Sequence, residues 1–129
     1  MALPDPPSNL WPPEVLLASL SACLAVDGDN YKRLNTLRDW VNAHLGPEGF
    51  ELYLEDVWNE HCAGQTRFEY ILRSTRTLEE TPPIGYDLYQ NHQDAKGVWH
   101  LDDYLESVIL MPDLAFLVVF FLKNRSKNS

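Results

Sequence analysis

The chain has 129 residues, of which 45% are apolar and 22% charged, and a formal net charge of −9. That length bounds it to one domain able to bury a core without staples, and that balance excludes wholesale disorder. Nineteen acids and seven bases precede Leu114, a net −12, while three bases and no acid follow it. A body this acidic repels nucleic-acid phosphate, so its charge favours a protein partner, and a basic one, over direct nucleic-acid binding.

Five prolines in the first thirteen residues remove donors and block helix, which predicts an extended Pro-rich arm over 1–12. Leu10 and Trp11 are the residues able to pin it. The segment has neither the basic region nor the apolar run of a signal peptide. Cys23 and Cys62 are too few for a disulfide framework. Together these features predict a cytoplasmic protein with reduced thiols.

From Pro13 the chain reads as helix. Proline suits a first turn, Glu14 complements the positive end of the dipole, and Leu16, Leu17, Leu20, Cys23 and Leu24 form one stripe. "DGDN" breaks it, and Asp29 is placed to cap a second helix striped by Tyr31, Leu34, Leu37, Val41 and Leu45. Gly46-Pro47 is expected to stop that helix, with Gly46 as its left-handed cap.

The next segments carry mixed signals. Phe50, Leu52 and Leu54 alternate like a strand, but Phe50, Leu54, Val57, Trp58 and Cys62 keep helical spacing. Fifteen or so residues is long for a strand, so helix is favoured. In "TRFEYILRSTRTLEETPP" the alternation of "FEYILR" competes with a Thr66–Glu69 capping box and with Glu69–Arg73 and Arg76–Glu80 pairs at i, i+4. Helix is again favoured. "IGYDLYQNHQDAKGVWHL" reads as a hairpin or an ordered loop. Leu101, Tyr104, Leu105, Val108 and Ile109 recur at helical spacing, with Pro112 as terminator.

"LAFLVVFF" is too short to span a membrane, which takes about 20 apolar residues. An element apolar on all sides is expected to be buried on all sides, here as the centre of the core or as the seam of a homodimer.

Chemical motifs are sparse. His44, His61, Cys62, His92 and His100 lack the paired short spacing of zinc ligands. "DGDN" lacks the later glycine and glutamate of a calcium loop. No glycine-rich phosphate loop or nucleophile elbow occurs. Neither a metal nor another cofactor is expected. Arg73 and Arg76 form a basic cluster within the acidic body. Asp102, Asp103 and Glu106 form an acidic rim beside Tyr86, Tyr89 and Trp99, and an aromatic centre within a charged rim is a common form of binding hot spot. These eight residues are the candidate partner-binding set.

The expected fold is a mainly α, compact helical domain over 13–123. Helices are expected near 13–25, 30–45, 48–62, 67–80, 101–111 and 113–123, with an irregular or hairpin segment near 84–100 and a short basic tail at 124–129. The alternative is α+β: N-terminal helices on a small antiparallel sheet of 68–77, 86–90, 97–101 and 115–122. The expected function is a non-enzymatic protein–protein interaction module, a small adaptor or regulatory subunit. The alternatives are an acidic inhibitor that occupies a basic nucleic-acid-binding groove of its target, and a small enzyme using carboxylates.

Overall fold

Three helices and a four-stranded antiparallel sheet make up the fold seen in the computed structural model, which describes residues 11–59, 64–111 and 113–126. Helix α1 spans Pro13–Leu24 and α2 spans Asn30–His44. A 3-10 turn at Gly46–Glu48 leads into the strands β1 (Phe50–Asn59), β2 (Gln65–Ser74), β3 (Gly85–Gln93) and β4 (Trp99–Ile109), and α3 (Ala115–Ser126) follows. The strands pair in sequence order, β1-β2-β3-β4.

The fold is therefore α+β, and the six-helix bundle and its description as a helical domain are overturned. The first two helices stand as expected, and Asp29 accepts a hydrogen bond from the Lys32 N–H at 3.0 Å. Where helices were expected over 48–62, 67–80 and 101–111, the described residues instead form β1, β2 and β4, and residues 60–62 lie outside the described residues. Thr66 is no helix cap: its hydroxyl accepts from the Asn91 amide across the sheet at 2.7 Å. Arg73 pairs not with Glu69 but with Glu51 directly opposite it on β1. The left-handed glycine after α2 is Gly49, with φ +91°, not Gly46.

Helix α2 crosses one face of the sheet. At its start, the Asn30 amide donates to the Ser107 carbonyl of β4. In its middle, Leu34 lies on Gly85 of β3, where a Cβ would come within 2.7 Å of its methyl group. Near its end, the Asn42 amide donates to Leu52 O and accepts from Leu52 N, taking the place of a neighbouring strand on the outer edge of β1. Asn30 to Asn42 is about 18 Å of helix, enough to traverse three strand spacings of about 4.8 Å each.

The core lies on one side of this crossing. Leu16 and Leu20 of α1, Leu37 and Val41 of α2, Phe50, Leu52, Tyr70 and Leu72 of the sheet, and Leu117 and Phe121 of α3 are buried together. Phe50 and Phe121 meet edge to face at 4.6 Å. Trp11 meets Trp40 edge to face at 5.1 Å and receives a hydrogen bond at its carbonyl from Arg125, so this end of the arm is pinned. Residues 1–10 lie outside the described residues.

Helix α3 is not buried on all sides. Leu117, Val118, Phe120 and Phe121 face the core while Phe116, Val119 and Leu122 face out. Nor is it a strand, as the α+β alternative had it. It runs through residues 124–126, so the basic tail does not begin at 124: the Asn124 side chain is fully buried. Among the described residues, no helix is long and apolar enough to cross a membrane.

Candidate functional site: an aromatic shelf over a buried carboxylate

Beyond α2 the same face of the sheet is uncovered. Register fixes which side chains point there. Leu54 of β1 stands opposite Tyr70, Phe68 opposite Asp87, Asp87 opposite Ser107, and Tyr89 opposite Tyr104. Phe68 meets Tyr89 edge to face at 5.5 Å, Tyr89 meets Tyr104 at 5.6 Å, and Tyr104 meets Tyr31 of α2 at 5.8 Å. The rings form a shelf whose free surface includes Leu54, Leu101 and Tyr104. A cleft of about 240 Å³ lies between this shelf and Tyr31, Asn35 and Arg38 of α2.

At the floor of the cleft is Asp87, only 3% exposed. A buried carboxylate is costly unless each oxygen finds a donor. Tyr70 donates to its Oδ2 at 2.7 Å, and Ser107 donates to its Oδ1. The Ser107 hydroxyl has one proton, which goes to Asp87. The Tyr104 hydroxyl at 3.0 Å must therefore donate to Ser107. Burial raises the Tyr70 pKa, and its bond to Asp87 raises it further, so this phenol stays protonated. Tyr89 is raised in the same direction by burial and by the nearby Asp87 charge. The chain Tyr104–Ser107–Asp87–Tyr70 fixes the tyrosines, and the shelf's shape, from below.

The expected partner-binding set is divided between two faces. Tyr89 and Trp99 are on the shelf side. The Trp99 ring lies over Gly64, where a Cβ would come within 2.5 Å of it, so at φ +74° glycine is required there on two counts. Tyr86 and Arg73 are on the opposite face: the Arg67 guanidinium covers the Tyr86 ring at 4.1 Å, and Arg73 covers Tyr53 at 4.9 Å. Arg76 lies apart from both, against Gly49 and near Glu48. Asp102, Asp103 and Glu106 are exposed on β4, the outer strand that also carries Leu101 and Tyr104, but on the opposite face: Asp103 stands opposite Gln90, Glu106 opposite Leu88, and Asp102 pairs with His92. Asp102 pairs with His92 at 3.0 Å, and Asp94 with His100 at 2.7 Å, while the two imidazoles stack at 5.2 Å.

Tyr31, Leu54, Phe68, Asp87, Leu101 and Tyr104 are absent from the set read off the sequence. Their signal is period-two parity. Once Gly85, Asp87, Tyr89 and Asn91 are placed on one face of a strand, an inward acid demands donors, and the tyrosines around it are the available ones.

Among the described residues, no three His, Cys, Asp or Glu side chains are grouped to hold a metal. Cys23 is buried, and burial raises its thiol pKa, which keeps it unreactive. His61 and Cys62 lie outside the described residues. Compared with known protein families, curated proteins and solved structures, the chain matches none.

Proposed function

We propose that the chain is a non-enzymatic protein-interaction module, an adaptor or regulatory subunit, and that a basic protein seats on the shelf. The observation that carries this reading is the uncovered Leu54–Phe68–Tyr89–Tyr104–Leu101 surface, held in shape from beneath by a carboxylate whose two oxygens already have donors. Preorganised aromatics on a rigid sheet are the usual anchors of binding energy. Asp56 stands opposite Phe68 on the shelf face, and its charge complements a basic partner; Asp102, Asp103 and Glu106 line the reverse face of the outer strand β4.

Within that class, the exposed row of Asp102, Asp103 and Glu106 favours a second, narrower reading: a partner whose basic groove otherwise holds nucleic acid. The carboxylate-enzyme reading gains no support. The buried acids Glu48 and Asp87 have separate partners, Arg125 for one and Tyr70 with Ser107 for the other.

The test compares the wild-type chain with Leu101→Asp, a change at a site already 54% exposed. The wild type is expected to capture a stoichiometric basic partner from its native cell, and the variant to lose it. The affinity of the purified pair should fall as salt rises from about 0.05 to about 0.5 M, because rim charges become screened. A partner that binds both forms equally, or that is indifferent to salt, would sink the reading.

A further inference from the structure

Helix α2 closes each outer edge of the sheet with an asparagine, but only at one point. Asn42 occupies Leu52 on β1, and the Asn30 amide occupies the Ser107 carbonyl on β4. The Ser107 carbonyl therefore faces away from β3. Further along, the Asn91 N–H of β3 donates to Gly64 O on the β2 side at 3.0 Å, so its β4 partner Leu101 also turns its N–H and C=O to the outer edge. The same alternation turns out those of Tyr104, which stands opposite Tyr89. Every residue from Leu101 to Glu106 is exposed. A row of outward backbone donors and acceptors is a template for another strand.

Side chains along this edge sort by face. Leu101 and Tyr104 are on the shelf face, and Asp103 and Glu106 are on the reverse. Asp102 is paired with His92, whereas Asp103 and Glu106 have no ion pair among the described residues. Arg67, on the same face two strands away, is held over the Tyr86 ring.

We propose that β4 takes an extended basic segment of the partner as a fifth strand, antiparallel like every other pairing in the sheet. Its apolar side chains extend the shelf beside Leu101 and Tyr104, and its alternate Lys or Arg side chains face Asp103 and Glu106. This rests on the shelf being the docking surface, and adds the conformation and residue pattern of what docks. The charges select the occupant. A second copy paired through β4 would bring two rows of Asp103 and Glu106 together on one face, and like charges on adjacent strands repel. Residues 1–10 include Pro4, Pro6 and Pro7, which have no N–H for a ladder, and Asp5, a further acid. A strand of alternating basic and apolar residues gains on both faces.

Amide hydrogen exchange of the full isotope-labelled chain, read by NMR, tests this with a blocked six-residue peptide of alternating lysine and valine. The Leu101 and Tyr104 amides should exchange fast in the free chain and slow at least about tenfold with peptide, while Leu54 on the β1 edge is unchanged. In an antiparallel pair the residues that bond Leu101 and Tyr104 share their face, so here they are the valines. N-methylating the valines should weaken binding at least about tenfold, and N-methylating the lysines less than about threefold. Asp103→Lys with Glu106→Lys should weaken it about tenfold with thermal unfolding unchanged, and the same charge change at exposed Glu14 and Asp27 less than about threefold.

Slow exchange at Leu101 and Tyr104 in the free chain would mean that residues 1–10 or a second copy already holds the edge, and overturns the proposal. So does a peptide that leaves these amides unprotected, or one that loses equally from both methylations. If the native partner is nonetheless lost on Leu101→Asp, the shelf reading stands without the added strand. Protection at the edge with a partner indifferent to Leu101→Asp sinks the shelf reading instead.

Discussion

Tyr70→Phe removes one oxygen from a fully buried site and leaves Asp87 Oδ2 without its donor. The ring still packs, so the cost isolates the unsatisfied acceptor, about 1–3 kcal/mol of unfolding free energy. Urea denaturation is the measurement, and a midpoint equal to the wild type's would show that Asp87 needs no donor at Oδ2. Burial of Asp87 thus has a consequence for function as well as stability. Ser107, one of its two donors, in turn accepts from Tyr104 and holds it at the edge of the shelf, so a variant that loosens this chain should weaken partner binding without touching the exposed surface.

At the scale of elements, helix capping and proline signals were legible because they are local, and α1 and α2 follow from them. The strands were misread for a specific reason in β4. Pairing with β3 shifts register between Leu88 and Tyr89 and again between Gln90 and Asn91. Each bulge adds one residue, so the side chains that share the shelf face are 99, 101, 104, 107 and 109. Steps of three within a strand imitate a helix, and the Leu101–Tyr104–Leu105–Val108 pattern came from those bulges. In β1 the period-two signal is present but is outweighed by length, since the strand is ten residues; in β2 it is outweighed by the Thr66–Glu69 capping pattern and the i, i+4 charge pairs, although Thr66 bonds Asn91 and Arg73 bonds Glu51 across the sheet. The shelf was invisible for the same reason, since strand parity is what brings Phe68, Asp87 and Tyr104 together. Helix α3 carries a related lesson. An apolar run through Leu122 hides the Asn124 and Arg125 that fasten it. Asn124 accepts from Thr77 and donates to Phe120 O, and Arg125 pairs with Glu48 and donates to Trp11 O. Ending the chain after Lys123 should therefore cost at least about 3 kcal/mol by stranding the Glu48 charge. An unchanged denaturant midpoint would show the helix end to be dispensable.

At the scale of the whole molecule the charges set the pH dependence, and Glu48 is where the sign can be isolated. Its carboxylate is 6% exposed, lies 3.4 Å from the Arg125 guanidinium and makes no hydrogen bond. Burial raises its pKa above the usual 4.5, with Arg125 and then Arg76 opposing the shift. The folded state therefore keeps this proton to a higher pH than the unfolded chain does. Wherever the folded state binds more protons, stability falls as pH rises. Glu48 is thus expected to lower stability as pH climbs through the range just above 4.5. Self-repulsion within a chain that reaches −9 at neutral pH acts in the same direction. Glu48→Gln separates the two contributions. The variant should be less stable overall, because Arg125 loses its counter-charge in a buried site. Its decline in stability as pH rises above 4.5 should nevertheless be shallower than the wild type's, because the carboxyl with the raised pKa is gone. Urea unfolding at a series of pH values reads both quantities at once. A slope as steep as the wild type's would assign the pH dependence to the acidic surface as a whole and remove Glu48 from the account.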